Sequence, residues 1–569
     1  MKILIISSLI MACCLSSCVK LDRTPQGIIF SDQLNSPENI DKMVTAAYSA
    51  LGNDNGFDSY TGLWALGDIR AGDAYKGGDG VGDQDYLNDF EVFQERPDNR
   101  TVGNVWVALY TAIGRVDDAL ARLDAVTEDK FPLKLERQAE MRFLRGHFYF
   151  LLKIYYNHIP WFDETVPVES RDSISNKSLS DDALWGKIAD DFKFAADNLP
   201  GDQTDVGRPT KWAAKAYLAK TLLYEAYKQN DQYQVTSIDQ SLLAQVVSLC
   251  DEVIQSTKYA LSQDFAYNFL TEDENGPESI FAIQFSKDDG TPQGRLDWGH
   301  YLDYPMNPEY GCCAFHAPSQ NLVNAFRTDK NGLPMFDEFN KVDVGLNDFK
   351  TYTFDPRLDH TVAIPGHPYK YEPYFVFQKS WDRSPQIYGY FLSMKETVAA
   401  DDPSFQKTPP FMSSSKNQDI LRYDDILLWK AEALIELGRQ DEALPIINKI
   451  RTRTANSTGL LKQEDGSYTS NYKIGTYQPG VNCVWTQDFA RKALRWERRL
   501  EFAMEGFRFF DLVRWGITPD YVNTYIAEES SKRQYLVGVH FQAGKFEYMP
   551  IPISQIDYSK GALIQNAGY

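Results

Sequence analysis

The sequence is short of the residues on which metal, thiol and cofactor chemistry depend. Its 7 histidines are widely spaced and its 7 cysteines include no Cys-x-x-Cys pair, so no zinc spacing is present. It has no Gly-x-Ser-x-Gly, no His-Glu-x-x-His, no Walker loop and no glycine-rich dinucleotide fingerprint. The activities those motifs carry are therefore not indicated. A glycosidase stays open, because its two carboxylates can come from any part of a fold. Basic charge is also scarce: 58 Lys and Arg stand against 79 Asp and Glu, a net charge of −21. Such a surface repels phosphate backbones and excludes nucleic acid as a natural partner. Beyond the first residues, no stretch reaches the roughly 18 uninterrupted apolar residues of a transmembrane helix.

What is present begins at the N-terminus. Lys2 precedes an apolar run over residues 3–15, interrupted by Ser7 and Ser8, which is the length of a signal-peptide core. It ends in Leu15-Ser16-Ser17-Cys18, which resembles the bacterial lipobox, where the cysteine thiol receives diacylglycerol. Residues 1–17 then read as a signal peptide and 18–30 as a tether lipidated at Cys18. Cys13 and Cys14 leave with the signal. Cys250, Cys312, Cys313 and Cys483 allow three pairings that sequence cannot choose among. A bridge between neighbours is strained, so Cys312 and Cys313 are expected as two free thiols. Cys250 reads as a small buried hydrophobe.

Helical periodicity dominates the rest. Ser36-Pro37 starts a helix to about Leu51, and others are expected over Trp106–Leu123, Lys134–Tyr156, Asp182–Leu199, from Thr210 to about Tyr224, and over Leu242–Ser256. In Tyr423–Arg453 the apolar and small positions Leu427, Ala431, Leu434, Ala443, Ile447 and Ile450 fall at tetratricopeptide offsets. The expected fold is mostly α, with about four tetratricopeptide-like helix pairs as a scaffold, long irregular loops and a few short strands. Residues 31–275 and 276–569 are expected as two regions packed as one unit.

Charges and aromatics interleave most densely in Trp496–Gly516. Thr486 caps the helix leading into it and Gly506 is expected to end that helix. Glu497, Glu501 and Glu505 fall four apart, Arg498 and Arg499 flank them, and Gly506, Arg508, Asp511, Arg514 and Trp515 follow. Buried charge at this density implies a structural ion-pair network rather than a catalytic carboxylate pair. The run Glu-Arg-Arg-x-Glu-x-x-x-Glu-Gly-x-Arg-x-x-Asp-Leu-x-Arg-Trp resembles the signature of the SusD/RagB family, and every named position is present here. Arg142-Phe-Leu-Arg145-Gly146, the Met-Pro-Ile-Pro-Ile run at 549–553 and the terminal Asn566-Ala-Gly-Tyr569 resemble other family elements. The resemblance implies an outer-membrane lipoprotein facing the cell exterior, which binds glycan without catalysis and needs no cofactor. It further implies a lid over a TonB-dependent transporter of the SusC type, with the helical side toward that partner.

The family has no invariant glycan motif, so site residues are read from the loops. A sugar site needs a flat apolar face and a few hydroxyl-binding side chains. Candidates in the first loop are Tyr60, Trp64, Tyr75 and Tyr86, with Asp73, Arg96 and Asn99. In the second they are Trp298, Tyr301 and Tyr304, with Asp297 and His300, and in the third Trp381, Tyr388 and Tyr390. The Gly77–Asp85 loop invites a calcium reading, although it departs from the EF-hand pattern. The resulting expectation is a surface protein that binds oligosaccharides and delivers them to a transporter. A surface glycoside hydrolase and a binder of peptide or other non-sugar nutrients are the alternatives.

Overall fold

The computed structural model describes residues 35–52, 62–291, 294–408 and 411–569. The signal peptide, the tether, Cys18 and Tyr60 lie outside the described residues. Helices carry the fold: α1 Pro37–Tyr48, α2 Arg100–Ala125, α3 Lys134–Tyr156, α4 Asp181–Asn198, α5 Lys211–Ala226, α6 Gln240–Gln255, α7 Tyr423–Glu436, α8 Gln440–Ala455 and α9 Gln487–Glu501. Several start where a side-chain oxygen accepts from the first free N–H groups. Ser36, Asn99, Ser180, Thr210, Asp239 and Thr486 all do so, each cap stabilising its helix by about 1 kcal/mol. The pairs α1/α2, α3/α4, α5/α6 and α7/α8 pack in chain order, and α6 packs on α7 across the long insertion between them. This is the expected tetratricopeptide-like scaffold.

Small residues set the spacing. Ala213, Ala214, Ala216 and Ala219 of α5 are buried against α4 and α6, and Cys250 is enclosed there as expected. The insertion is fastened by strand β2 (Ser279–Ile283), antiparallel to β6 (Gln418–Arg422), which leads directly into α7. Phe281 on β2 meets Phe143 of α3 edge-on at 4.8 Å.

The Trp496–Gly516 charges form the buried network expected of them. Arg357 reaches Glu497 at 2.7 Å and Glu501 at 2.6 Å, and Arg451 takes the other Glu497 oxygen at 2.9 Å. Arg453 bridges Glu501 and Glu278. Arg499 binds Asp73 at 2.7 Å. Beyond α9, helix α10 (Arg508–Arg514) supplies Asp511 to Arg498 at 2.8 Å and Arg514 to Glu432 at 2.8 Å, and Trp515 donates to Glu432.

Two expectations change. Helix α9 ends at Glu501, not at Gly506, and Glu505 lies past it, paired with Lys395 at 2.6 Å and Arg422 at 3.0 Å. Gly506 has another task. Its φ is +81°, its N–H donates to Asp68, and a Cβ there would sit 2.3 Å from the Leu63 Cβ. Glycine is needed so that this segment can touch the Leu63–Gly67 backbone. Second, Cys312 and Cys313 are joined to each other in a disulfide rather than left as two free thiols. Cys250 and Cys483 are unpaired.

Burial alone would raise the Glu501 carboxyl, but Arg453, Arg357 and Arg422 override it and hold it at about 2. Burial likewise opposes Glu396, and Lys416, His300 and Lys395 pull it down to about 2. A carboxylate held below its unfolded value stabilises the fold above that value and loses the contribution as pH falls toward 2. Stability is therefore expected to decline from about pH 4.5 downward. Glu501→Gln is expected to cost about 3–5 kcal/mol at neutral pH and to flatten the acid decline, as read by urea denaturation at stepped pH.

Candidate functional site

The loops between helix pairs come together through short strands. Strand β1 (Ala74–Gly77) lies antiparallel to β3 (Phe315–Pro318), and the hairpin β4 (Phe405–Thr408)–β5 (Phe411–Ser414) stands beside them. In an antiparallel pair, side chains alternate between the two faces. The hairpin accordingly packs a different aromatic group on each side. Phe411 meets Tyr301 edge-on at 4.9 Å, and Tyr301 meets Trp298 at 6.0 Å. Phe405 faces the other way, 5.5 Å from both Tyr304 and Tyr310, in the group that includes Phe375 and Trp381.

In the first group the deep layer is Trp64, Tyr301, Leu302 and Phe315, and the half-buried layer is Tyr86, Trp298, Cys312 and Phe411. The deep layer is rigidly placed. Trp64 donates its indole N–H to the Gly299 carbonyl at 3.0 Å and stacks on His316 at 5.3 Å. His316 lies between Asp68 at 3.0 Å and Asp303 at 3.3 Å. Burial opposes its protonation, yet hydrogen bonds and charge from those two carboxylates raise it to about 9, so it stays an imidazolium at neutral pH. Polar groups border the half-buried layer. The Tyr86 hydroxyl donates to Gln84, Arg100 lies over its ring at 4.6 Å, and Asn99 donates to the Tyr86 carbonyl.

Several sequence candidates are interior residues. Tyr75 is fully buried with its hydroxyl on Glu529 at 2.7 Å, and Asp73 is held by Arg499. Trp64, Tyr301, Tyr304 and Tyr388 are buried as well, and Asp297 and His300 lie beneath the surface. None of these can offer a face to a sugar without opening the core. Tyr86, Trp298 and Trp381 keep part of their rings accessible, Arg96 is exposed beside Asp98, and Tyr390 is exposed beneath Lys379. Missed by sequence reasoning were Phe411 and Tyr374, the latter 82% exposed. Tyr374 lies in a strand, Glu372–Val376; the alternation about Phe375 and Phe377 is the signal that it points outward.

The calcium reading of Gly77–Asp85 is also corrected. The Lys76 ammonium already sits in this loop, donating to the Gly77 and Gly80 carbonyls at 3.0 Å and to that of Asp83. Arg383 takes Asp83 at 2.8 Å and Asp79 at 3.5 Å. The protein's own cations occupy the oxygens a metal would need.

The family model described as SusD family matches residues 277–569, and that described as starch-binding associating with outer membrane matches residues 21–223. The chain belongs to the SusD family. A SusD-like protein of Bacteroides ovatus is 24% identical over 527 residues, covering 90% of this chain and 82% of the relative. A SusD-like protein of Formosa agariphila is 23% identical, covering 74% of this chain and 72% of its own. Among solved structures, a SusD superfamily protein from Bacteroides vulgatus aligns with a TM-score of 0.68 at 22% identity, covering 94% of this chain and 99% of that one. Surface glycan-binding protein A from Bacteroides thetaiotaomicron, solved with laminarihexaose, aligns at 0.66 and 22% identity, covering 93% and 99%. As a SusD-family member the protein is a binding protein, not an enzyme. The Glu497, Glu501 and Glu505 carboxylates, all tied to arginine or lysine, are consistent with that.

The two classes of aromatic are separable by stability. Tyr304→Ala, which empties a buried site, is expected to cost about 3–5 kcal/mol. Trp298→Ala, at a half-exposed ring, is expected to cost about 1 kcal/mol or less. Parallel denaturation of the two variants checks this.

Proposed function

We propose that this SusD-family protein binds an oligosaccharide at the face formed by Tyr86, Trp298 and Phe411, and delivers it to a SusC-like TonB-dependent transporter. On this reading lipidated Cys18 tethers it to the outer membrane, facing outward, with the helical scaffold toward the transporter. The observation that carries the binding site is Trp298. Its indole is partly accessible and backed by a buried aromatic layer against which Tyr86, with its hydrogen-bonding neighbours, also packs. A sugar ring presents apolar C–H faces that stack on such a surface, while its hydroxyls need polar neighbours. The family description as starch-binding and outer-membrane-associating, and neighbours solved with laminarihexaose or described as laminarin-binding, support a glycan as ligand. Phe375 and Trp381 form a second aromatic group on the other side of the hairpin, and Tyr374, exposed on the opposite face of the Glu372–Val376 strand, adds a ring for a longer chain.

Calorimetric titration with laminarin and starch oligosaccharides is expected to give a saturable isotherm for one class. Trp298→Ala should weaken it at least about tenfold, a loss of about 1.4 kcal/mol, and Tyr374→Ala should weaken long chains more than short ones. An isotherm unchanged by Trp298→Ala would move the site elsewhere. Uptake of labelled oligosaccharide by cells carrying Trp298→Ala should fall with the affinity if delivery depends on this face.

A further inference from the structure

Beneath the loops, where α5 meets the insertion, lies a cavity of about 50 Å3. One water requires about 10–15 Å3 on the same scale. The space thus takes a few waters or one small ion, and excludes a sugar ring. Its wall carries nitrogen donors that lack an acceptor. Lys220 of α5 is 4% exposed, and among the described residues no oxygen accepts from its ammonium. Rings surround it instead, with Phe507 at 4.4 Å, Phe150 at 5.2 Å, Tyr217 at 5.3 Å and Trp429 at 5.8 Å. His300 is 3% exposed; its Nδ1 is bonded to Asp303 at 2.8 Å, while among the described residues Nε2 has no hydrogen-bond partner and only the charge of Glu396, 3.9 Å away, faces it. Asn268 spends its Oδ1 on the Ser262 hydroxyl and leaves Nδ2 without an acceptor.

The carboxylates on the same wall are already engaged. Glu505 is taken by Arg422 and Lys395, Asp419 by the Ser279 hydroxyl, and Glu396 faces Lys416 at 3.5 Å. Burial opposes a proton on His300, but Asp297, Glu396 and Asp303 raise it to about 10, so its free Nε2 is a charged donor at neutral pH. His147, also on the wall, is driven to about 3 by burial and by Lys220, and adds no charge. The lining holds the cations Lys220, His300, Lys416 and Arg422 with three carboxylates, Glu396, Asp419 and Glu505, while Asp297 and Asp303 stand behind His300 and Asp425 near Lys220. A buried imidazolium N–H and a buried amide N–H without acceptors each carry a desolvation cost that one anion beside the Lys220 ammonium would offset.

We propose that this cavity is a binding site for one small monovalent anion, a halide or a carboxylate of formate or acetate size, held by Lys220 Nζ and His300 Nε2. The site is separate from the Trp298 face and does not rest on what that face binds. Its occupant would join α5, the 294–311 loop and the segment before α7 at one point.

Crystals of the full chain soaked in bromide test this directly. An anomalous peak is expected in the cavity, within hydrogen-bonding distance of Lys220 and His300. Competing formate should erase that peak if a carboxylate is the preferred occupant and leave it if a halide is. In solution, chloride or formate in place of gluconate at equal ionic strength should raise the thermal midpoint by about 1–3 °C. Lys220→Met should lose both signals. A wild-type crystal with neither bromide nor formate in the cavity overturns the proposal, because the aromatic cage alone then satisfies Lys220. So does a midpoint shift of equal size in Lys220→Met. The wild-type peak stands whether or not that variant folds.

Discussion

The fold depends on the buried arginine–carboxylate network around α9. Its partners come from distant parts of the chain: Arg357 from the insertion, Arg451 and Arg453 from α8, Asp73 from the first loop, and Glu278 from the start of β2. Removing one member leaves the others charged in a medium that solvates them poorly, so the set persists or fails together. Its role follows from that linkage. Loops too irregular to bury a core of their own are locked to the helical scaffold wherever an arginine crosses between them.

The same device recurs at smaller scale nearer the candidate face. Lys76 fills the Gly77–Asp85 loop as an internal cation, and Arg383 ties that loop to the third one. His316 joins Asp68 to Asp303, and the Gly506 N–H joins Asp68 to the signature segment. A set of ion pairs and hydrogen bonds therefore runs from the signature segment to the floor of the aromatic face. A surface that binds by stacking benefits from such support, since a preorganised ring loses little freedom when ligand arrives.

The aromatic content has two fates that composition does not separate. Rings such as Tyr75, Tyr304 and Tyr310 are core, with hydroxyls on Glu529 for Tyr75 and on the Val398 carbonyl for Tyr310. Trp298, Phe411 and Trp381 are only partly buried, and Tyr374 is exposed. The hairpin β4–β5 makes a different division, parting Tyr301 and Trp298 from Tyr304, Tyr310 and Trp381, because alternate side chains of a strand point to opposite faces.

The sequence by itself determined most of the helices, the caps at Ser36, Thr210 and Thr486, the helix pairing and the family, because these depend on neighbours three and four residues apart and on one contiguous signature. It also implied that the signature charges are structural, since unpaired charge at that density is too costly to bury. Tertiary structure alone decided which loop aromatics are accessible. Tyr75 is enclosed by a partner 454 residues away, and Asp73 by one 426 residues away. It likewise decided that Gly506 serves a backbone contact rather than a helix end, that Cys312 and Cys313 are bonded, and that Lys76 occupies the loop that resembled a calcium site. The Tyr75, Asp73 and Gly506 contacts are set by segments remote in the chain; the cysteine pair and the Lys76 loop join near neighbours, but along a backbone path that no periodic pattern specifies.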